Sequence, residues 1–246
     1  MLTIERVVGD PAIVGTGVGE DRAQFELEDH GPLALEVWRR PLLARFTGLR
    51  PPNDEALVHP FLVLAAATAA HWLGWDALHA GAFRLGQSAW GILGERNAGK
   101  SSLLCGLALR GIDVLTDDLL VIADGEALAG PKSVDLRGEA SRRLCVGEPL
   151  GVVGARERWR YRTPPSLPST RLAGFLSLSW GERLELAPVP ARRRIPALLA
   201  SSTLALPSLR PQRLIELAAL PAWELCRPRD WNVLDDACDL LADRLG

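Results

Sequence analysis

Residues Gly94-Glu95-Arg96-Asn97-Ala98-Gly99-Lys100-Ser101 fit G-x-x-x-x-G-K-[ST] at every fixed position. Such a loop turns its backbone N–H groups inward around a phosphate, and its glycines allow the dihedrals this requires. The helix that follows aims the positive end of its dipole at the same anion. The Lys100 ammonium would reach the β and γ phosphates, and the Ser101 hydroxyl could bind Mg²⁺. Gly94, Asn97, Ala98, Gly99, Lys100, Ser101 and Ser102 are therefore the candidate nucleotide contacts. Lysine occurs in this chain only at 100 and 132. A compact, flexible point charge suits a phosphate cradle better than the planar arginine fork. A purely structural glycine turn between strand and helix would satisfy the same spacing.

A second pattern bears on what the loop would serve. Asp117 and Asp118, in "LTDD", lie 16 and 17 residues after Ser101. They close a predicted strand that starts soon after the loop's helix, so the chain returns them toward the phosphates. One carboxylate can take a proton from an attacking hydroxyl while the other holds Mg²⁺, the division of labour phosphoryl transfer needs. The competing reading is a solvated "TDD" turn.

The elements that must position these groups follow from pattern. "AWGIL" predicts a strand running straight into the glycine loop. "SSLLCGLALRG" carries Leu103, Leu104, Leu107 and Ala108 at helical spacing, with Gly111 as its stop. "IDVLTDDLLVIAD" resumes as strand. Upstream, "DALHAGAFRLGQSAWGILG" (76–94) predicts two strands around an "LGQS" turn. "AQFELE" and "LALEVW" alternate as strands of a small antiparallel sheet. After "RPPNDEALVHP", with Asn53 or Asp54 as a cap, comes a buried Ala-rich helix opened by Pro60 and ending near Trp75. Residues 138–170 are Arg-rich and end in prolines, which predicts long surface loops. "LAGFLSLSW" and "RLELAPV" read as a strand pair about Gly181. "IPALLASSTLA", "PQRLIELAALPAWEL" and "VLDDACDLLADRLG" read as C-terminal helices.

The stretch from "HAGAF" (79–83) through "GILGERNAGKSS" to "RGIDVLTDDLLVI" resembles the HPr kinase/phosphorylase family and its shorter relatives, such as the kinases of lasso peptide biosynthesis. There a His-x-Gly strand precedes the loop's strand and a "DD" pair follows "RG" and a strand. The matching residues are His79 and Gly81, Gly94 to Ser101, Arg110-Gly111, and Asp117-Asp118. They span residues 76–123, about a fifth of the chain. The resemblance implies an α/β fold: a P-loop kinase core of the HPr kinase C-terminal-domain type, with a mixed, largely antiparallel sheet, flanking helices, a β-rich N-terminal portion and C-terminal helices. Residues 1–75 would pack on a catalytic domain spanning 76–246.

The resemblance also implies ATP and Mg²⁺ as cofactors and a serine hydroxyl on a peptide or protein as acceptor. Asp117 would be the base, with Lys100 and His79 beside the phosphates, while Asp118 and Ser101 hold the metal. "SVDLRGEA" (133–140) loosely echoes a downstream signature, where Asp135 would join the metal ligands and Arg137 would neutralise phosphate. A histidine on a strand is also an ordinary packed side chain. No N-terminal regulatory domain of the full-length kind is evident, so control of HPr and the reverse phosphorylase reaction find no support. A small-molecule kinase on this scaffold and a non-catalytic nucleotide-binding regulator are the competing readings.

Bulk properties narrow the setting. A formal net charge of −2 supplies no positive field for nucleic acid or anionic lipid. The most apolar run, "FLVLAAATAAHWLGW" (61–75), is too short for a membrane span, and "MLTIERVVGD" lacks the apolar core of a signal peptide. Cys105, Cys145, Cys226 and Cys238 have no paired spacing, and His30, His59, His71 and His79 complete no zinc pattern. Buried, reduced thiols in a cytoplasmic protein are expected. The Arg-rich stretch could clamp an acidic peptide or form a solvated face. Eight tryptophans are read as core packing rather than a peptide groove. The sequence excludes neither a monomer nor a homo-oligomer.

Overall fold

The computed structural model describes residues 2–11, 15–28, 31–154, 156–202 and 210–246. The chain divides into two compact units. The first comprises the described residues of Met1–Trp75 with those of Pro149–Arg158, and the second comprises Asp76–Glu148, Trp159–Ser202 and the described residues of Ser208–Gly246.

The first unit is built on a five-stranded sheet of β1 (Thr3–Val8), β2 (Gly17–Val18), β3 (Arg22–Glu28), β4 (Pro32–Trp38) and β5 (Leu43–Gly48), in the order β1-β5-β4-β3-β2. The alternating stretches at 22–28 and 32–38 are strands as their period requires, paired antiparallel. β1 and β5 were not foreseen, and they pair in parallel. Leu33, Leu35 and Val37 turn their side chains onto a core shared with Phe25 and Phe46. Helix α1 (Asp54–Ala56), a π turn over Leu57–Phe61 and α2 (Leu62–Leu73) cover that core. The Asn53 side chain accepts from the Ala56 N–H and starts the helix six residues ahead of the Ala-rich run. His59, at φ −158°, and Pro60 interrupt the helical geometry inside the π turn. The whole helical stretch, Asp54–Leu73, has 20 residues and a window of mean hydropathy 1.5, long and apolar enough by composition to cross a membrane. The expectation of a segment too short to span therefore does not hold on length. Ala56, Leu57, Phe61 and Ala65 are buried against the sheet, as in a core helix.

The second unit holds the glycine loop. Its sheet contains β6 (Asp76–Leu78), β7 (Gly81–Leu85), β8 (Ser88–Leu93), β9 (Asp113–Thr116), β10 (Leu120–Ala123), β11 (Glu126–Leu128) and, beyond β12 (Ser133–Leu136), β13 (Glu148–Val153) and β14 (Arg156–Arg162), the long β15 (Ser169–Trp180). The order is β6-β10-β11-β15-β8-β7-β9. β16 (Glu185–Pro188) and β17 (Ala222–Arg227) extend it from β15. β15 runs parallel to β8 and β17, and the remaining pairs of this sheet are antiparallel.

Helices cover both faces. Neighbours Ile92 and Leu93 on β8 fall into different clusters because successive strand side chains point to opposite faces. On one face Ile92, Phe83 and Leu176 pack with Leu103, Leu104 and Leu107 of α3 (Lys100–Leu109), and with Leu234, Ala237 and Leu241 from the stretch that becomes the last helix. On the other, Leu93, Leu115 and Phe175 pack with Leu198 and Leu217. The helices after α3 are α4 (Gly138–Leu144), α5 (Ala191–Ala200), α6 (Pro211–Ala219) and α7 (Leu234–Leu245). The result is an α/β architecture with mixed sheets and flanking helices.

Several expectations are corrected. Residues 138–170 are not long loops: most of the described ones form α4, β13, β14 and the start of β15, and the longest irregular stretch among them is the proline-rich 163–168. β15 and β16 do not pair with each other; β17 lies between them. "PAWEL" is the start of β17 rather than helix, because Pro221 ends α6 and Leu225 goes into the sheet's core. The strand expected over 112–124 is two, β9 and β10, broken at the aspartate pair. Within "IPALLASSTLA" residues 203–205 lie outside the described residues, as do His30 and 12–14 of the N-terminal stretch. Of the cysteines, Cys105 and Cys238 are buried, but Cys145 is exposed.

Candidate active site

The loop leaves β8 at Leu93 and enters α3 at Lys100. Gly94 (φ +153°) and Gly99 (φ +85°) take up left-handed backbone that a side chain would resist, and Asn97 does so at φ +72°. Within the loop the Ala98 N–H donates to Glu95 O. Lys100 is 9% exposed, and its Nζ donates to Gly94 O at 2.6 Å and to Glu95 O at 3.3 Å. Burial holds the ammonium below its ordinary value, against the opposing pull of the Asp118 and Asp117 carboxylates. Ser101 and Ser102 occupy the first turn of α3, where N–H groups have no intrahelical acceptor.

The aspartate pair sits where β9 ends. The Thr116 hydroxyl donates to Leu119 O at 2.8 Å and the Leu119 N–H to Asp117 O at 3.0 Å, closing a tight reversal in which Asp118 adopts φ +73°. This break turns Asp117 toward α3. Its Oδ1 accepts from Ser101 Oγ at 3.1 Å and its Oδ2 from the Asp135 N–H at 3.3 Å. Burial, and then the neighbouring Asp118 charge, lift the Asp117 carboxyl from 3.8 to about 7, while the bonds from Ser101 and the Asp135 N–H pull it down. A carboxyl in that range is suited to proton exchange near neutrality.

His79 lies in the bend between β6 and β7 rather than on a strand, and its Nδ1 is 3.2 Å from Asp118 Oδ1. The structure therefore gathers Lys100, Ser101, Asp117, Asp118 and His79 about the end of the loop. It does not do the same for two other residues. The Asp135 carboxylate, expected among the metal ligands, accepts from Arg160 Nε and Nη2 at 2.7 and 2.8 Å. Both side chains are almost wholly buried, so the acid closes on arginine, and what it gives the site is its backbone N–H. Arg137, expected at the phosphates, stands exposed at the start of α4.

Sequence reasoning missed three residues here. Arg160 fixes Asp135. Arg227 and Trp180, at the ends of adjacent parallel strands, flank the loop from outside: Arg227 Nη2 donates to Ala98 O at 3.1 Å and Trp180 Nε1 to Asn97 O at 3.3 Å. No local signal marked them, because the β15–β17 pairing that joins them is long-range.

No family model matches this chain, and no curated protein matches it. Among solved structures, the Hpr(Ser) kinase/phosphatase from Coxiella burnetii is distantly similar in fold. It shares 13% identity, with 69% of this chain and 96% of that one covered, at a TM-score of 0.35.

Proposed function

We propose that this protein is an ATP-dependent kinase that transfers the γ-phosphate to a serine hydroxyl of a peptide or protein, such as a ribosomally made precursor peptide of the lasso class. One observation carries the reading: Ser101, the last position of the phosphate-loop pattern, meets a carboxyl that burial lifts to about 7.

The residues present fit a magnesium nucleotide. A buried ammonium spends its hydrogen bonds on the loop's own carbonyls, an arrangement that an incoming phosphate can replace. Ser101 and Asp118 would hold Mg²⁺, which when bound neutralises charge on the phosphates. Among the described residues no group of three or more His, Cys, Asp or Glu is arranged to hold a metal. A magnesium site completed by phosphate oxygens and water does not need one.

In the transfer, Asp117 takes the proton of the acceptor hydroxyl as its oxygen bonds to the γ phosphorus. The bond from that phosphorus to the bridging oxygen breaks, and ADP leaves with the electron pair. Lys100 offsets the charge on the β and γ oxygens. His79 orients Asp118 through their contact.

The test uses labelled ATP, Mg²⁺ and serine-containing peptides encoded beside the gene. Phosphoserine on a peptide, abolished in Lys100→Met and lowered at least a hundredfold in Asp117→Asn, supports the reading. ATP binding with no acceptor labelled and turnover indifferent to Asp117→Asn overturns it in favour of a nucleotide-binding regulator.

A further inference from the structure

The peptide plane fixes a consequence of the contacts outside the loop. In a trans peptide the C=O of one residue and the N–H of the next point in opposite directions. Arg227 holds the Ala98 carbonyl from outside. The Gly99 N–H, which donates to no acceptor among the described residues, is thereby turned away from Arg227. Trp180 holds the preceding Asn97 carbonyl in the same way.

The two flanking residues are locked to each other. The Arg227 guanidinium lies 4.6 Å from the Trp180 ring centroid, and a Cβ on Gly99 would come within 2.5 Å of Arg227 Nη2 and 3.3 Å of the indole. Only glycine lets the loop lie this close to the pair. Arg227 is 4% exposed, its Nη1 has no hydrogen-bond partner, and among the described residues no carboxylate pairs with it. A buried cation without a counter-charge is costly. This one borders a loop patterned to hold an anion.

We propose that Arg227 is a positioning residue of the phosphate loop: stacked on Trp180, it sets the Ala98–Gly99 peptide for phosphate and contributes a second positive charge that a bound polyphosphate balances. The inference rests on the phosphate-binding reading and adds to it a residue from another strand.

Tripolyphosphate and ATP·Mg²⁺ are titrated into the native chain and into Arg227→Met, Arg227→Lys and Trp180→Phe, with melting temperatures taken in the absence of ligand. Arg227→Met binds both ligands about ten- to a hundredfold more weakly, the effect of losing a charged hydrogen bond, yet melts no lower than the native chain. Arg227→Lys recovers part of the affinity, and Trp180→Phe loses about three- to tenfold. A purely structural role would lower the melting temperature and leave the affinity of the folded protein unchanged. Native binding with Arg227→Met within twofold overturns the inference. Should Arg227→Met not fold, unchanged affinity in both Arg227→Lys and Trp180→Phe overturns it equally. Failure of the native chain to bind either ligand removes the phosphate-binding reading itself.

Discussion

Ser101 Oγ and Asp117 Oδ1 stand 3.1 Å apart, joining the first turn of α3 to the end of β9. The bond holds a carboxylate beside the glycine loop. Because the hydroxyl stabilises the ionised form, Ser101→Ala should raise the Asp117 carboxyl further. Side-chain carboxyl NMR across a pH titration of the nucleotide-free protein reads the shift directly. A value that stays put or falls would show that the hydroxyl does not act on Asp117.

Asp117 also makes stability depend on pH, and the sign follows from proton counting. Between 3.8 and about 7 the folded chain keeps a proton that the unfolded chain has released, so this residue's contribution falls as pH rises through that window. Without nucleotide or Mg²⁺, Asp117→Asn should melt above the native chain by a few degrees at pH 8. The gap should shrink toward pH 5. A gap independent of pH would contradict the burial of this carboxyl.

The Arg160–Asp135 pair should be asymmetric under mutation. Arg160→Met leaves a buried carboxylate unpaired and should cost about 3–5 kcal/mol in chemical denaturation. Replacing both partners with apolar residues, Asp135→Leu with Arg160→Met, should recover most of that loss. The Asp135 N–H that reaches Asp117 is backbone and survives both changes.

Thiol chemistry should separate the four cysteines. Burial pushes the Cys105 and Cys238 thiols up to about 12, which leaves them inert. Cys145, exposed after α4, should react first with a thiol reagent under native conditions. Cys145→Ser should abolish the fast phase and leave the slow ones unchanged.

What could be read from the sequence was whatever the chemistry writes in consecutive residues. The loop from Gly94 to Ser101, the α3 helix with its Gly111 stop, the aspartate pair closing β9 and the Asn53 cap are local patterns. Each depends on dihedral preference or periodicity within a few residues. In the Arg-rich segment β14 places Arg160 in the interior, where Asp135 compensates it; composition does not tell a buried arginine from one that clamps a peptide or faces solvent.

Strand neighbours were decided only in three dimensions. Periodicity tells which face a residue takes but not which strand lies beside it, so β17 could enter between β15 and β16 without any mark in the sequence. That pairing sets Trp180 beside Arg227 and brings both against the loop. The loop's residues are thus fixed by sequence, while the direction its peptides face depends on side chains from distant strands, because a hydrogen bond across the fold needs the whole sheet to place its two ends.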